Sequence, residues 1–482
     1  MKNKFFVRLL MVLIMFVLAF LLGPAAVKEG RERFHAARAQ QNSPVSLPLV
    51  MNGSGAPDQI NTRRVNVPYT DGEVTLYRMA IFWLGQVSPS ENYADVRVGY
   101  NNTELVIDVE IIDRLIWYDQ TPPVQDLTGW DAVTLFMSVV ENPGSGPGIS
   151  EYQWVAQMSN GQAREDYQVV YRGNGSGWNI VAIPFTTTAV WRGDGVNDNN
   201  DDKGWWVTYH IPFSSLGYAT PPHEAVWRLG VAVHDRDSSA GDPLADKHWP
   251  EALDQLNPDS WGSMHFGLPT YQPSTYDYDG VTVIRDGENG VVAQDAHVGG
   301  AFNCGEGIDH WSQWGNMNYE SIDPTQVIIQ NQRDVSDYPC FSKLFINFPL
   351  NLVPQGVEII SATLTMYHFG NSYPPLAIAS SIHVFTIRES WEDTTITWNN
   401  APLAWTNISR TRVEPIKTPQ DWPGISYAWD VSGAVHEALI LNESLNLALY
   451  SSDSNWHSGK YFYSFGSGWP ARPFLTVWWK NP

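Results

Sequence analysis

The chain has 482 residues, 43% hydrophobic and 13% aromatic, with 32 prolines, 38 glycines and a formal net charge of −22 at pH 7. That length allows two or three domains, each large enough to bury a core. The acidic balance excludes nucleic acid and anionic lipid surfaces as natural partners, because binding to phosphate polymers rests on Lys and Arg contacts that release counterions.

At the N-terminus, Lys2, Lys4 and Arg8 precede an apolar run from Leu9 to Leu22, the pattern of an export signal. Ala37-Arg38-Ala39 has the small-x-small form of a signal-peptidase site. Residues 1–39 are therefore expected to be a signal peptide or, if uncleaved, an N-terminal anchor; the run of about 14 apolar residues is shorter than the ~20 of a spanning helix. The rest of the chain is expected to be secreted or tethered to the cell surface, with membrane contact only through this segment. The segment carries seven Lys/Arg and two Asp/Glu, a net of +5, so its removal leaves a chain of −27.

Residues 40–58, "QQNSPVSLPLVMNGSGAPD", lack sustained periodicity and read as a Pro/Ser/Gly spacer. From residue 59 short alternating runs follow: "ADVRVGY" (94–100), "ELVIDVEII" (104–112), "DAVTLFMSVV" (131–140), "WWVTYHIPF" (205–213) and "RLGVAVHD" (228–235). Val96 and Val98 point one way and Asp95 and Arg97 the other, as in a strand with one buried and one solvated face. Clusters such as "NPGSGPG" and "DGVNDNNDDKG" separate these runs, and the spacing predicts an antiparallel sandwich.

The stretch "GLPTYQPSTYDYDG" (267–280) interrupts the alternation, and a domain boundary is placed near residue 285. The second domain, 286–482, resumes with "SKLFINFPL" (342–350), "SATLTMYHF" (361–369), "SIHVFTI" (381–387), "SLNLALYSS" (444–452) and "FLTVWW" (474–479). "SGAVHEALILN" (432–442) is the one short helix expected. The whole is expected to be all-β: two antiparallel, jelly-roll-like sandwiches in tandem.

"SWEDTTITWNNAP" (390–402) sets two tryptophans around Glu392 and Asp393. Glycosidic acid and base carboxylates must face each other about 5 to 9.5 Å apart across a bond, whereas these two are adjacent in sequence. Ile396 and Trp398 instead share one face of a short strand, with Asn399-Asn400-Ala401-Pro402 as its turn. The motif reads as architecture.

Other catalytic signatures are missing: His223 and His436 lack the second histidine of HExxH, and no G-x-S-x-G elbow occurs. The acidic turn with Asp194, Asp198 and Asp202 offers hard oxygen ligands of the kind calcium takes, but it lacks EF-hand spacing and reads more readily as a solvated loop. His234, Asp235, Asp237 and His248 form a second candidate metal set, against the alternative of a strand end with solvated charges. Cys304 and Cys340, the only cysteines, are expected to pair as a disulfide in an exported chain.

Twenty-two Trp and 21 Tyr exceed what two sandwiches need as filling. The negative face of a ring attracts polarised C–H groups, so exposed rings suit a sugar surface. Trp311, Trp314, Trp456 and Trp469 lie among Gly, Ser and Asn and are candidate loop-borne ligand contacts.

The order "DGEV" (71–74), "ADVRVGYNNTELVIDVEIID" (94–113), "GWDAVTLFM" (129–137), "GWWVTYHIPFSSLG" (204–217), "LGVAVHDRD" (229–237) and "SWGSMHFG" (260–267) resembles family 9 carbohydrate-binding modules. The resemblance implies a sandwich, structural calcium, and a pair of rings clamping a sugar; Trp130 and Trp249 lie where such modules place that pair. The block 341–370, with "SWEDTTITWNNAP", "AWDVSGAV" (428–435) and "RPFLTVWW" (472–479), resembles the DNRLRE or disaggregatase-related domains, also grouped as family 96 carbohydrate-binding modules. These resemblances imply a non-catalytic polysaccharide-binding protein; a secreted hydrolase or lyase and a surface adhesion protein stand as alternatives. Residues 290–482 hold 17 Asp/Glu and nine Lys/Arg, a net of −8, which favours neutral glycans over polyuronates.

Overall fold

Alternation of apolar residues builds a five-stranded antiparallel sheet in the order Thr186–Gly193, Asp202–Pro212, Glu104–Ile112, Glu91–Tyr100, Ala80–Ser88. The structure is a computed structural model that describes residues 62–300, 308–332 and 341–482, plus the backbone of Leu49–Met51. The export segment, most of the spacer, Cys304 and Cys340 lie outside the described residues. Within the spacer, Leu49–Met51 does form a strand, parallel to Pro269–Tyr271.

A second sheet covers one face of the first. Its strands run Trp178–Ile180, Gln168–Gly173, Glu151–Gln157, Ala132–Ser138, Val226–His234, Gly262–Phe266 and then, in parallel, Arg64–Val67. Val96, Val109, Val133, Leu135 and Trp154 fill the space between them.

The C-terminal sandwich has an inner sheet of Thr406–Val413, Ser380–Thr386, Leu445–Ser451, Phe341–Phe348 and Gln294–Gly299. Its outer sheet runs Gly280–Ile284, Phe474–Lys480, Glu358–Asn371, Ile425–Asp430, with Lys460–Tyr463 beside the far end of the 14-residue strand. Leu344, Ile346, Leu364, Val384 and Trp429 form the core between these sheets. Because Gly280–Ile284 pairs with the last strand, the second sandwich begins before residue 285. The helix Ser432–Leu441 lies where the sequence placed it.

The two sandwiches meet face to face. Phe82 points into the N-terminal core and stacks on Trp249, while Trp83 on the same strand packs edge-on against Phe385 and Tyr450 of the other sandwich. The five-stranded sheet is therefore buried on both faces and forms the second of four layers. This corrects the expectation of a solvated face: Asp95, Arg97, Asp108 and Glu110 are all buried against the C-terminal domain.

Buried charges must be compensated. Arg97 donates to Glu110 Oε2 at 3.0 Å and, across the boundary, to the Ser452 carbonyl at 3.0 Å. Lys343 donates to Tyr93 Oη at 2.7 Å and sits over the faces of Trp398, Trp83, Tyr93 and Tyr450 at 3.7–4.9 Å. Burial pushes the Lys343 pKa well down; Asp95 opposes that shift, as do the negative ring faces. Asp95 accepts from Tyr93, Tyr450 and Asn331, closing the network.

Residues 391–402 are turns, not the short strand read from the sequence. The Ile396 amide donates back to the Glu392 carbonyl, and Asn399 exchanges hydrogen bonds with the backbone of Val87 as a strand residue would. Trp391, Ile396 and Trp398 are buried nonetheless, so the motif anchors one sandwich on the other.

Removing the Trp398 ring leaves a cavity against Lys343 and Tyr93. Trp398→Ala should cost about 3–5 kcal/mol, read as a lower denaturant midpoint; an unchanged midpoint would remove the motif from the core.

Candidate functional site

Three strands from opposing sheets end at one rim of the N-terminal sandwich, and each carries an aspartate there. Asp113 follows Glu104–Ile112, Asp131 precedes Ala132–Ser138, and Asp235 follows Val226–His234. All three are buried and offer carboxylate oxygens within 4.8 Å of one another. Asp131 accepts from the amides of Trp117 (2.6 Å) and Arg236 (2.8 Å), and Asp113 accepts from Leu115. Asp113 Oδ2 and Asp235 Oδ1 have no hydrogen-bond partner.

Burial first, then the neighbouring carboxylates of the cluster, push the Asp113 and Asp131 carboxyls well above the usual range; burial and then Asp237 push Asp235 up to about 7. Hard oxygen donors with orphaned lone pairs fit a divalent cation of the calcium class.

Beside this cluster lies an open cleft of about 270 Å3 lined by Trp117, Tyr118, Asp119, Trp130, Asn197 and neighbours. The cluster positions its walls. The hydrogen bond from Trp117 to Asp131 fixes one wall, and Asn197 Oδ1 accepts from the Tyr118 amide at 2.8 Å. Arg236 holds the Gly129 carbonyl and lays its guanidinium over the Trp130 ring at 4.3 Å. Rings beside amide and carboxylate groups can stack on a sugar and hydrogen-bond its hydroxyls.

Of the residues singled out in the sequence, Trp130 lines this cleft, half-buried. Trp249 does not: it is 1% exposed in the core, stacked on Phe82 at 4.1 Å, and no ligand can reach its face. Trp311 and Trp314 are likewise core, Trp314 packing 4.9 Å from Trp398. Trp456 and Trp469 are exposed on the C-terminal sandwich, so the six rings form no single site.

Asp194, Asp198 and Asp202 are not assembled as ligands. Asp202 is buried and accepts from the amides of Ile116 and Gly195, Asp198 caps the Asn200 amide, and Asp194 is exposed. The turn instead delivers Asn197 to the cleft. His234 is held between Thr134 and Asp246, away from a shared centre with Asp235.

Sequence reasoning missed Asp113 and Asp131. Each stands at the end of an alternating apolar run, the only local signal available.

Residues 314–469 match the model of carbohydrate-binding module family 96. Among solved structures, a family 9 carbohydrate-binding module from Caldicellulosiruptor kristjanssonii in complex with cellotriose is 14% identical; the match covers 45% of this chain and 100% of that one, with a TM-score of 0.31. A family 9 module from the same organism in complex with glucose is 12% identical over 44% of this chain and 98% of that one, with a TM-score of 0.30. No curated protein matches the chain.

Proposed function

We propose that the chain is a non-catalytic, exported polysaccharide-binding protein whose two sandwiches are both carbohydrate-binding modules. The observation that carries this reading is the match of residues 314–469 to carbohydrate-binding module family 96. The cleft lined by Trp117, Tyr118 and Trp130 supports it in the N-terminal sandwich, where rings and hydrogen-bonding groups suit a short stretch of sugar. The net charge favours neutral sugars.

A calcium ion held by Asp113, Asp131 and Asp235 belongs to the same reading. When bound it supplies the positive charge that three buried carboxylates lack, and so stabilises the walls of the cleft.

Two measurements test these points. Full-length protein should be retarded in gels containing a neutral polysaccharide such as xylan, glucan or mannan, and Trp130→Ala should weaken oligosaccharide binding by about 1–3 kcal/mol with its melting temperature kept. No retardation in any gel contradicts binding; release of reducing ends or unsaturated products contradicts the non-catalytic claim.

Calcium at about a hundredfold excess over its Kd should stabilise the fold by about 2.7 kcal/mol, seen as a rise in Tm after chelator treatment. Asp131→Asn should abolish that rise; a Tm indifferent to calcium in the unsubstituted protein removes the ion.

A further inference from the structure

The outer sheet of the C-terminal sandwich carries aromatic rings on the face turned away from its core. Along Glu358–Asn371, Leu364, Met366 and His368 are buried inward, whereas Tyr367 and Phe369 alternate outward and stay partly exposed. On the neighbouring Lys460–Tyr463, Phe462 is inward and Tyr461 and Tyr463 are outward. Phe369 and Tyr463 stack with centroids 4.3 Å apart.

Onto this pair a loop adds Trp422, edge-on to Tyr463 at 4.7 Å and 52% exposed. The loop is pinned: Gly424 has φ +93°, and a Cβ there would stand 2.5 Å from the His368 carbonyl, so only glycine lets the backbone lie so close. Trp469, 65% exposed, follows Gly468, where an added Cβ would lie 3.7 Å from the Trp422 ring. A contiguous exposed apolar surface of this kind marks an interaction site.

We propose that this face, centred on Trp422 and Trp469, binds the middle of an extended neutral polysaccharide chain. The proposal rests on the carbohydrate-binding reading and deepens it for the C-terminal module. The rings lie on the outward face of a sheet, where an extended chain can run past them. Stacked rings match the flat C–H faces of successive pyranoses.

The charge pattern selects the neutral class. Arg285 lies over Phe474 and Trp469 at 4.5 and 5.6 Å but is paired with Glu288 at 3.8 Å, and Arg472 is paired with Asp286 at 3.3 Å. Trp469 Nε1 also donates to Glu288. The bordering cations already have carboxylate partners, so a uronate would displace one carboxylate only to replace it with another.

The test is affinity electrophoresis and calorimetry of the full chain with xylan, mannan, glucan, alginate and polygalacturonate. The unsubstituted protein should prefer at least one neutral polymer. Trp422→Ala and Trp469→Ala should each weaken that binding at least about tenfold with unchanged melting temperatures, and Trp422→Phe should restore most of it. Undiminished binding by both alanine variants overturns the site, as does an altered self-association with glycan binding intact. Preference for the polyuronates overturns the ligand class. Failure of the unsubstituted protein to bind any polymer sinks the carbohydrate-binding reading itself, a result distinct from the other three.

Discussion

An arginine and a lysine sealed from water, Arg97 and Lys343, set the arrangement of the whole molecule. Neither sandwich can compensate both charges alone. Arg97 takes its carboxylates from its own sheet and a carbonyl, Ser452, from the other sandwich; Lys343 takes two rings, Trp83 and Tyr93, from one side and two, Trp398 and Tyr450, from the other. Separating the halves would expose apolar rings, strip Lys343 of Tyr93 and Trp83, and leave Asp95 without the hydrogen bonds from Tyr450 and Asn331. At the edge, Asn66 and Asn407 repeat the logic, each bonding the other's backbone.

This constraint has a functional consequence. The carboxylate cluster and its cleft sit at strand ends in the first sandwich, and the Trp422 face lies on the far layer of the second. Packed layers between them leave no linker to flex, so the cleft and the exposed aromatic face are held in a fixed relation. On the proposed reading of both surfaces, a polymer long enough to meet them gains effective concentration without any new contact.

Much of the fold was legible because a period of two survives in single strands: the runs at 94–100 and 104–112 fall within observed strands, and 228–235 overruns its strand by one residue. What the period cannot say is what the polar face meets. Asp95 and Arg97 alternate with valines in the same way whether they face water or a counter-charge on another domain. The motif at 390–402 was rightly read as architecture, but over so few residues alternation cannot distinguish a strand from successive turns with buried rings. Trp311 and Trp314 sit outside regular strands, as their Gly, Ser and Asn neighbours suggest, and Trp249 ends a three-residue strand, yet burial is decided by distant partners such as Phe82 and Trp398. Asp113, Asp131 and Asp235 converge only through strand pairing, and Trp422 carries no local mark beyond a turn-forming "DWPG".

With the charged layer buried between them, both sandwiches should unfold as one cooperative body. Differential scanning calorimetry of the full chain tests it most directly. One transition, with calorimetric and van't Hoff enthalpies equal, is the predicted result. Two separable transitions, one per sandwich and each insensitive to Lys343→Met, would contradict it.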